Sequence, residues 1–202
     1  MLSYLSVVEW SRLGLLYGHL IACALAIAAV LKADVAIFSG QYTASGLKKT
    51  ADDTSKLLLI LWVTGLAIIY LDTGFEVDTL LDRTKLMLKL MCVLTLTANG
   101  LVLHWVSFPI LVKRRGNLGW FEAFLLVTTG ALSTTHWLAA AFVGMSKPLG
   151  RVPLDVLAQT YVSLVSVALV VSLFFMPTMR ARLVHVDSID SERNKTTLPE
   201  VC

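Results

Sequence analysis

Five long apolar blocks, separated by short charged stretches, constrain the fold of this chain more than any other feature of its sequence. A membrane-spanning helix needs about 20 mostly apolar residues, because the hydrocarbon core of a bilayer is about 30 Å thick. The blocks cover residues 13–38, 57–71, 86–112, 120–145 and 156–176, and the second extends back towards residue 50. We therefore predict an all-α, polytopic membrane helix bundle with about five transmembrane helices.

Composition and loop length support a single membrane domain. Hydrophobic residues make up 56% of the 202-residue chain and charged residues only 15%, whereas a soluble domain carries about 25% charged residues. No loop is long enough for a soluble domain. We predict a transmembrane helix bundle over residues 1–178, followed by a polar, disordered tail at residues 179–202. The lipid bilayer is the main partner. The net charge of +3 does not indicate nucleic-acid binding.

The distribution of basic residues predicts the orientation of the bundle. Short cytoplasmic loops carry an excess of Lys and Arg, and here these residues concentrate in loop one, loop three and the tail. With five spans these three regions share one side, so we expect the N-terminus outside and the C-terminus in the cytoplasm, in a bacterial inner membrane. Residues 1–11 carry no basic residue, unlike the start of a cleaved signal peptide, so the first block should remain in the mature protein.

Histidines inside the spans are the main candidates for chemistry, because polar groups in a membrane are costly and therefore tend to be functional. His19 in span one and His136 in span four are placed at similar depth, each on a helical face of small residues. Such faces leave room for a flat prosthetic group, and imidazole is a common axial ligand of haem iron. We therefore predict haem b between His19 and His136. Simple interhelical hydrogen bonding is the alternative for each histidine.

Span three has the most polar helical side, with Lys85, Lys89, Cys92 and Asn99 in helical register. Lys85 and Lys89 fall at its outer end, where they and Arg12 of span one are candidates to contact haem propionates or another anion. His104 lies about ten residues deeper than His19, which is about 15 Å at 1.5 Å per residue. This distance is too large for His19 and His104 to share one iron without strong tilting of the helices, so His104 ranks after His136 as second ligand or ligates another group.

The chain resembles a group of small bacterial membrane proteins that includes HemJ-type protoporphyrinogen oxidases and copper-resistance D-type membrane domains. The resemblance covers about residues 15–110 and rests on His19, on Leu61–Gly65 (Leu-Trp-Val-Thr-Gly), and on the Lys89-Leu90 or Lys85-Leu86 pair. It implies that His19 ligates a b-type haem and that Lys89, or Lys85, is the functional lysine of a membrane oxidoreductase. His136 lies outside the matched stretch.

Besides a haem protein that acts in electron transfer or a membrane-associated oxidation, two functions of other classes stay open at the level of sequence. The first is a small transporter or an ion or proton channel, with the polar side of span three lining a path and His104 sensing protons. A metal-transporting variant would use His19, Cys23 and His104. The second is a structural subunit of a larger membrane complex, in which a redox partner, other subunits or further copies of the chain dock within the membrane.

Overall fold

The computed structural model describes residues 6–107, 109–110 and 118–196, and these residues form helices and turns without any strand. Five long apolar helices confirm the prediction of an all-α membrane bundle. A wide π-helical turn, Leu103–Ser107, continues the fourth helix, and a 3-10 turn, Lys147–Arg151, precedes the last. The helices are α1 (Val7–Ser39), α2 (Ala44–Thr73), the short α3 (Val77–Leu81), α4 (Thr84–Val102), α5 (Trp120–Met145) and α6 (Leu154–Thr196).

Local sequence signals define the ends of the first two helices. Ser6 and Glu9 form a reciprocal capping box at the start of α1, which satisfies backbone N–H groups that have no partner within the helix. Gly40 ends α1 with φ 70° and Gly74 ends α2 with φ 60°. This left-handed conformation is easily adopted by glycine, because it has no Cβ.

Small side chains bring α1 into contact with its neighbours. Ala22, Ala26 and Val30 of α1 are buried against Leu61 of α2, Leu96 of α4 and Trp137 of α5. Close approach of helices through small residues is the usual packing mode within a bilayer, where apolar burial alone does not drive association. The contacts place α1 against α2 along most of its length and place α5 against α1, α4 and α6.

The outer surface of the bundle is apolar. Large hydrophobic side chains on all five long helices are exposed, and examples are Tyr17, Leu59, Leu94, Phe142 and Phe174. A soluble protein rarely exposes apolar surface on this scale. The exposed faces and the lengths of the helices therefore fit a lipid bilayer as the surrounding medium.

The helix boundaries differ from the predicted blocks at several ends. Helix α1 begins at Val7, six residues before the predicted start at residue 13. Helix α2 begins at Ala44, because several polar turns precede its apolar part without a break in the helix. Helix α3 within loop two was not predicted. The predicted end of span three at residue 112 and the basic residues 113–115 lie outside the described residues. Helix α6 continues beyond residue 178 to Thr196, whereas residues 197–202 are outside the described part. The N-out orientation stays a prediction.

Candidate functional site

His19 lies at the interface of α1 and α2. Its Nδ1 is 2.8 Å from Oγ1 of Thr64. The ring also passes close to Gly65, where an added Cβ would lie 3.5 Å from Cε1 of the histidine. A threonine that holds one ring nitrogen, followed by a glycine that leaves space for the ring, therefore fixes the position of the imidazole against α2.

The hydrogen bonds of Thr64 assign the tautomer of neutral His19. The threonine hydroxyl has one proton, and it donates that proton to the carbonyl oxygen of Ile60 at 2.7 Å. Thr64 must then accept from His19, so the ring carries its proton on Nδ1. The Nε2 atom is left with its lone pair free, and no described residue forms a hydrogen bond to it. This is the tautomer of an imidazole that ligates a metal through Nε2.

The positive charge of Lys89 in α4 acts electrostatically on this histidine. Its half-buried ammonium group interacts electrostatically with His19 and Cys23 of α1, and also with Lys85 one turn earlier on its own helix. Lys85 donates from Nζ to the carbonyl oxygen of Gly144 at 3.2 Å, and no hydrogen bond of Lys89 to a described residue is present. Of the two lysines, Lys89 therefore offers the more available positive charge beside His19.

Arg12, the third predicted anion contact, is held by a carboxylate. Its Nε and Nη2 atoms donate to the two carboxylate oxygens of Asp72 at 2.6 and 3.1 Å. This ion pair joins α1 to α2 two turns from His19. Glu9, one turn before Arg12, accepts a hydrogen bond from the backbone N–H of Ser6. Asp72 thus fixes the Arg12 guanidinium at the same interface that holds His19.

His136 is buried at the interface of α5 and α6, with 1% of its surface exposed. Its Nδ1 contacts the carbonyl oxygen of Leu132, which only accepts, so the ring proton is again on Nδ1. Its Nε2 is buried without a hydrogen-bond partner among the described residues. The ring meets Tyr161 of α6 edge-on, with centroids 5.7 Å apart. An unpaired, unprotonated Nε2 is a suitable metal ligand and is costly if it stays unpaired.

His104 lies in the π-helical turn after α4. Its Nδ1 is 4.0 Å from Oδ1 of Asp52 in α2, and both side chains are partly exposed. The imidazole also lines a cavity of about 430 Å³ between the long helices. His19 and His136 are not among the residues that line this cavity.

The three histidines occupy separate places in the described structure. His19 contacts α2, His136 contacts α6 and His104 contacts the start of α2. The hydrogen bond that joins α1 to α5 runs from Thr134 to Asp34, four turns beyond His19 on α1. No described contact links His19 to His136. Across the described ranges, no group of three or more His, Cys, Asp or Glu side chains meets, so the set His19, Cys23 and His104 is not assembled.

Much of the polar side of α4 fills helix interfaces. Asn99 donates from Nδ2 to the carbonyl oxygen of Thr129 in α5 at 2.9 Å. Cys92 is fully buried in an apolar cluster with Leu88, Val143 and Leu157. These contacts are typical of helix packing in a membrane. The alternative of a polar path along this side of α4 is therefore not favoured by Cys92 or Asn99.

Sequence reasoning did not identify Asp34 and Thr134 as site residues. The Thr134 hydroxyl donates to the Asp34 carboxylate between α5 and α1, and both side chains line the cavity beside His104. Asp34 lies near the end of the predicted block 13–38 and within α1, which ends at Ser39. An ionisable residue inside a span is the signal that identifies it.

Comparisons with protein families, with curated proteins and with solved structures find no match to this chain. The resemblance to HemJ-type proteins therefore stays a prediction. His19 contacts the Thr64–Gly65 part of the span-two motif.

Proposed function

We propose that this chain is a b-type haem protein of the membrane that acts in electron transfer or in a membrane-associated oxidation. His19 is the first axial ligand, through Nε2. The observation that carries the proposal is the hydrogen bond from His19 to Thr64. Because Thr64 accepts this bond, the ring proton lies on Nδ1 and the lone pair of Nε2 is free to bind a metal. An acceptor for the Nδ1 proton is the usual way in which proteins orient and activate a ligating histidine.

The residues around His19 fit such a group. The ring of His19 lies against Gly65 of α2, and the small side chains of Ala22 and Cys23 border the same part of α1. Lys89 supplies a positive charge beside His19, suited to a haem propionate or an anionic substrate. If the activity is an oxidation, Lys89 is the candidate catalytic residue that contacts the substrate. Arg12 and Lys85 are secondary contacts, because Asp72 and Gly144 already hold them.

His136 is the preferred second ligand and His104 is the next. The preference rests on the buried Nε2 of His136, which has no partner among the described residues. His104 is partly exposed and lies near Asp52. Two histidine ligands would leave no open position on the iron, which suits electron transfer, whereas a single ligand leaves a position open for oxidation.

The haem spectrum of the purified chain tests this function. The full chain is produced in a host supplied with haem and purified in mild detergent, and its Soret band and pyridine haemochrome are recorded. We expect about one haem b per chain and its loss in the H19A variant. The T160V variant, which changes an exposed threonine of α6, is the matched control and should retain haem. Folded wild-type protein without a Soret band would overturn the proposal.

Lys89 is tested separately from haem binding. K89M removes the positive charge and keeps most of the apolar stem. We expect this variant to retain at least part of its haem and to lose oxidation of an anionic substrate, whereas K147M, in the turn before α6, should behave as the wild type. Equal activity of K89M and wild type would exclude a catalytic role for Lys89.

A further inference from the structure

The cavity between the long helices has features that the haem proposal does not use. It measures about 430 Å³, within the range of pockets that enclose small organic molecules. Most of its wall is apolar, and the polar side chains that face it include Asp34, Thr134 and His104. We refer to it as the Asp34 cavity.

The described residues give Asp34 no Lys or Arg side chain as a partner at this cavity. Thr134 donates a hydrogen bond to its carboxylate. No Lys or Arg is among the described residues that line the cavity. His104 also lines the cavity, and its Nδ1 lies 4.0 Å from Oδ1 of Asp52. A carboxylate in apolar surroundings is costly unless a positive charge compensates it. Among the described residues that line the cavity, Asp34 is the only one with a carboxyl group, and its surroundings are mostly apolar.

We propose that the Asp34 cavity binds an amphipathic organic cation, with an ammonium-type or phosphonium-type charge beside Asp34 and an apolar body against the cavity wall. The buried ring of Trp137 lines the same cavity and offers an aromatic face that attracts cations. Phe38 and Phe175 line it as well and are also exposed at the outside of the bundle.

Gly130 gives a way to fill the cavity without disturbing the fold. It lines the cavity on α5, and an added Cβ would meet nothing within 4 Å. A leucine at this position occupies cavity space and also favours the helix more than glycine does. G130L therefore tests whether binding needs the free volume of the cavity, in a variant that should keep the bundle folded.

Binding of radiolabelled tetraphenylphosphonium to the full chain in phosphatidylcholine nanodiscs tests the proposal, with empty nanodiscs to subtract partition into lipid. Tetraphenylborate, an anion of the same shape, is the competitor that reports on charge. We expect saturable binding of about one cation per chain that tetraphenylborate does not displace. D34N should weaken binding at least tenfold, which is about 1.4 kcal/mol, and G130L should also weaken it.

Two matched controls should bind as the wild type does. D155N removes an exposed carboxylate at the start of α6, and G14L adds a leucine at an exposed glycine of α1 with open space around it. H19A should also retain binding, which keeps this test independent of haem. Absence of saturable binding to the wild type, or wild-type affinity of both D34N and G130L, overturns the proposal. Equal competition by the anion does so as well.

Discussion

His19 and Thr64 are joined by a hydrogen bond in which the imidazole donates from Nδ1 and the hydroxyl oxygen accepts. The direction follows from Thr64 itself, because its only proton goes to the carbonyl oxygen of Ile60 in the preceding turn. Thr64 is thus hydrogen-bonded to the backbone of α2 and fixes the orientation of the His19 ring of α1. The result is a histidine with a defined tautomer inside a membrane span.

Replacing Thr64 by valine should remove the preference of His19 for this tautomer. T64V keeps the shape of the side chain and removes the acceptor, so the Nδ1 proton of His19 loses its partner. We expect the nitrogen NMR shifts of histidine-labelled protein to show a mixture of His19 tautomers in place of one. The free energy of unfolding should fall by about 1 kcal/mol. T160V, whose hydroxyl bonds only to its own helix, should leave both quantities unchanged. An unaltered His19 spectrum in T64V would contradict the assigned direction.

The ion pair between Arg12 and Asp72 should stabilise the contact of α1 with α2. The two hydrogen bonds are parallel and bidentate, and the side chains are 43% and 22% exposed. Such geometry strengthens an ion pair, while partial exposure screens it. We expect a double-mutant cycle of R12A and D72A, measured by unfolding in mixed micelles, to give a coupling energy of about 1 kcal/mol. The exposed Asp53–Lys56 pair is the control, with a coupling near zero.

The number and type of the long helices were predictable from the sequence, because length and apolarity alone define a span. Block four illustrates this, since the predicted residues 120–145 are those of α5. The start of α2 was harder to predict from the sequence. Its first three turns are polar, and Thr43 caps them locally. Hydropathy therefore located the membrane part of that helix and not its full extent.

The candidate site was only partly predictable. Periodicity showed that His19 and His136 lie on small-residue faces, but it carries no information on which helix each face meets. The structure directs His19 to α2 and His136 to α6. Thr64 belongs to the Leu61–Gly65 motif, but nothing in the sequence indicates that its hydroxyl group contacts His19. The pairing of Asp34 with Thr134 connects residues 100 positions apart, and spacing within one helix cannot reveal it.

His136 should be distinguishable from His104 as the second ligand of the proposed haem. H136N retains a donor for the Leu132 carbonyl oxygen and removes Nε2. We expect it to convert a six-coordinate, low-spin ferric spectrum to a high-spin one, while H104N leaves the spectrum unchanged. Absorbance and electron paramagnetic resonance at low temperature measure both. The opposite pattern, in which only H104N changes the spin state, would assign the second ligand to His104.

Asn99 should act as a packing residue rather than as part of a transport path. Its side chain is 7% exposed and donates to the carbonyl oxygen of Thr129 across the interface of α4 and α5. Hydrogen bonds between membrane helices contribute about 0.6 kcal/mol on average, so N99L should lower the free energy of unfolding by about that amount. S11A removes an exposed hydroxyl that bonds within its own helix and should have no effect.

The same variant discriminates between the two classes of function. Because leucine fills the position of Asn99 with an apolar side chain of similar size, N99L should leave haem content unchanged. A path through the polar side of α4 would instead be blocked at this position. Flux of ions or protons into proteoliposomes is therefore measured for wild type, N99L and S11A. Flux that is present in wild type and S11A but lost in N99L would favour transport and contradict the packing role.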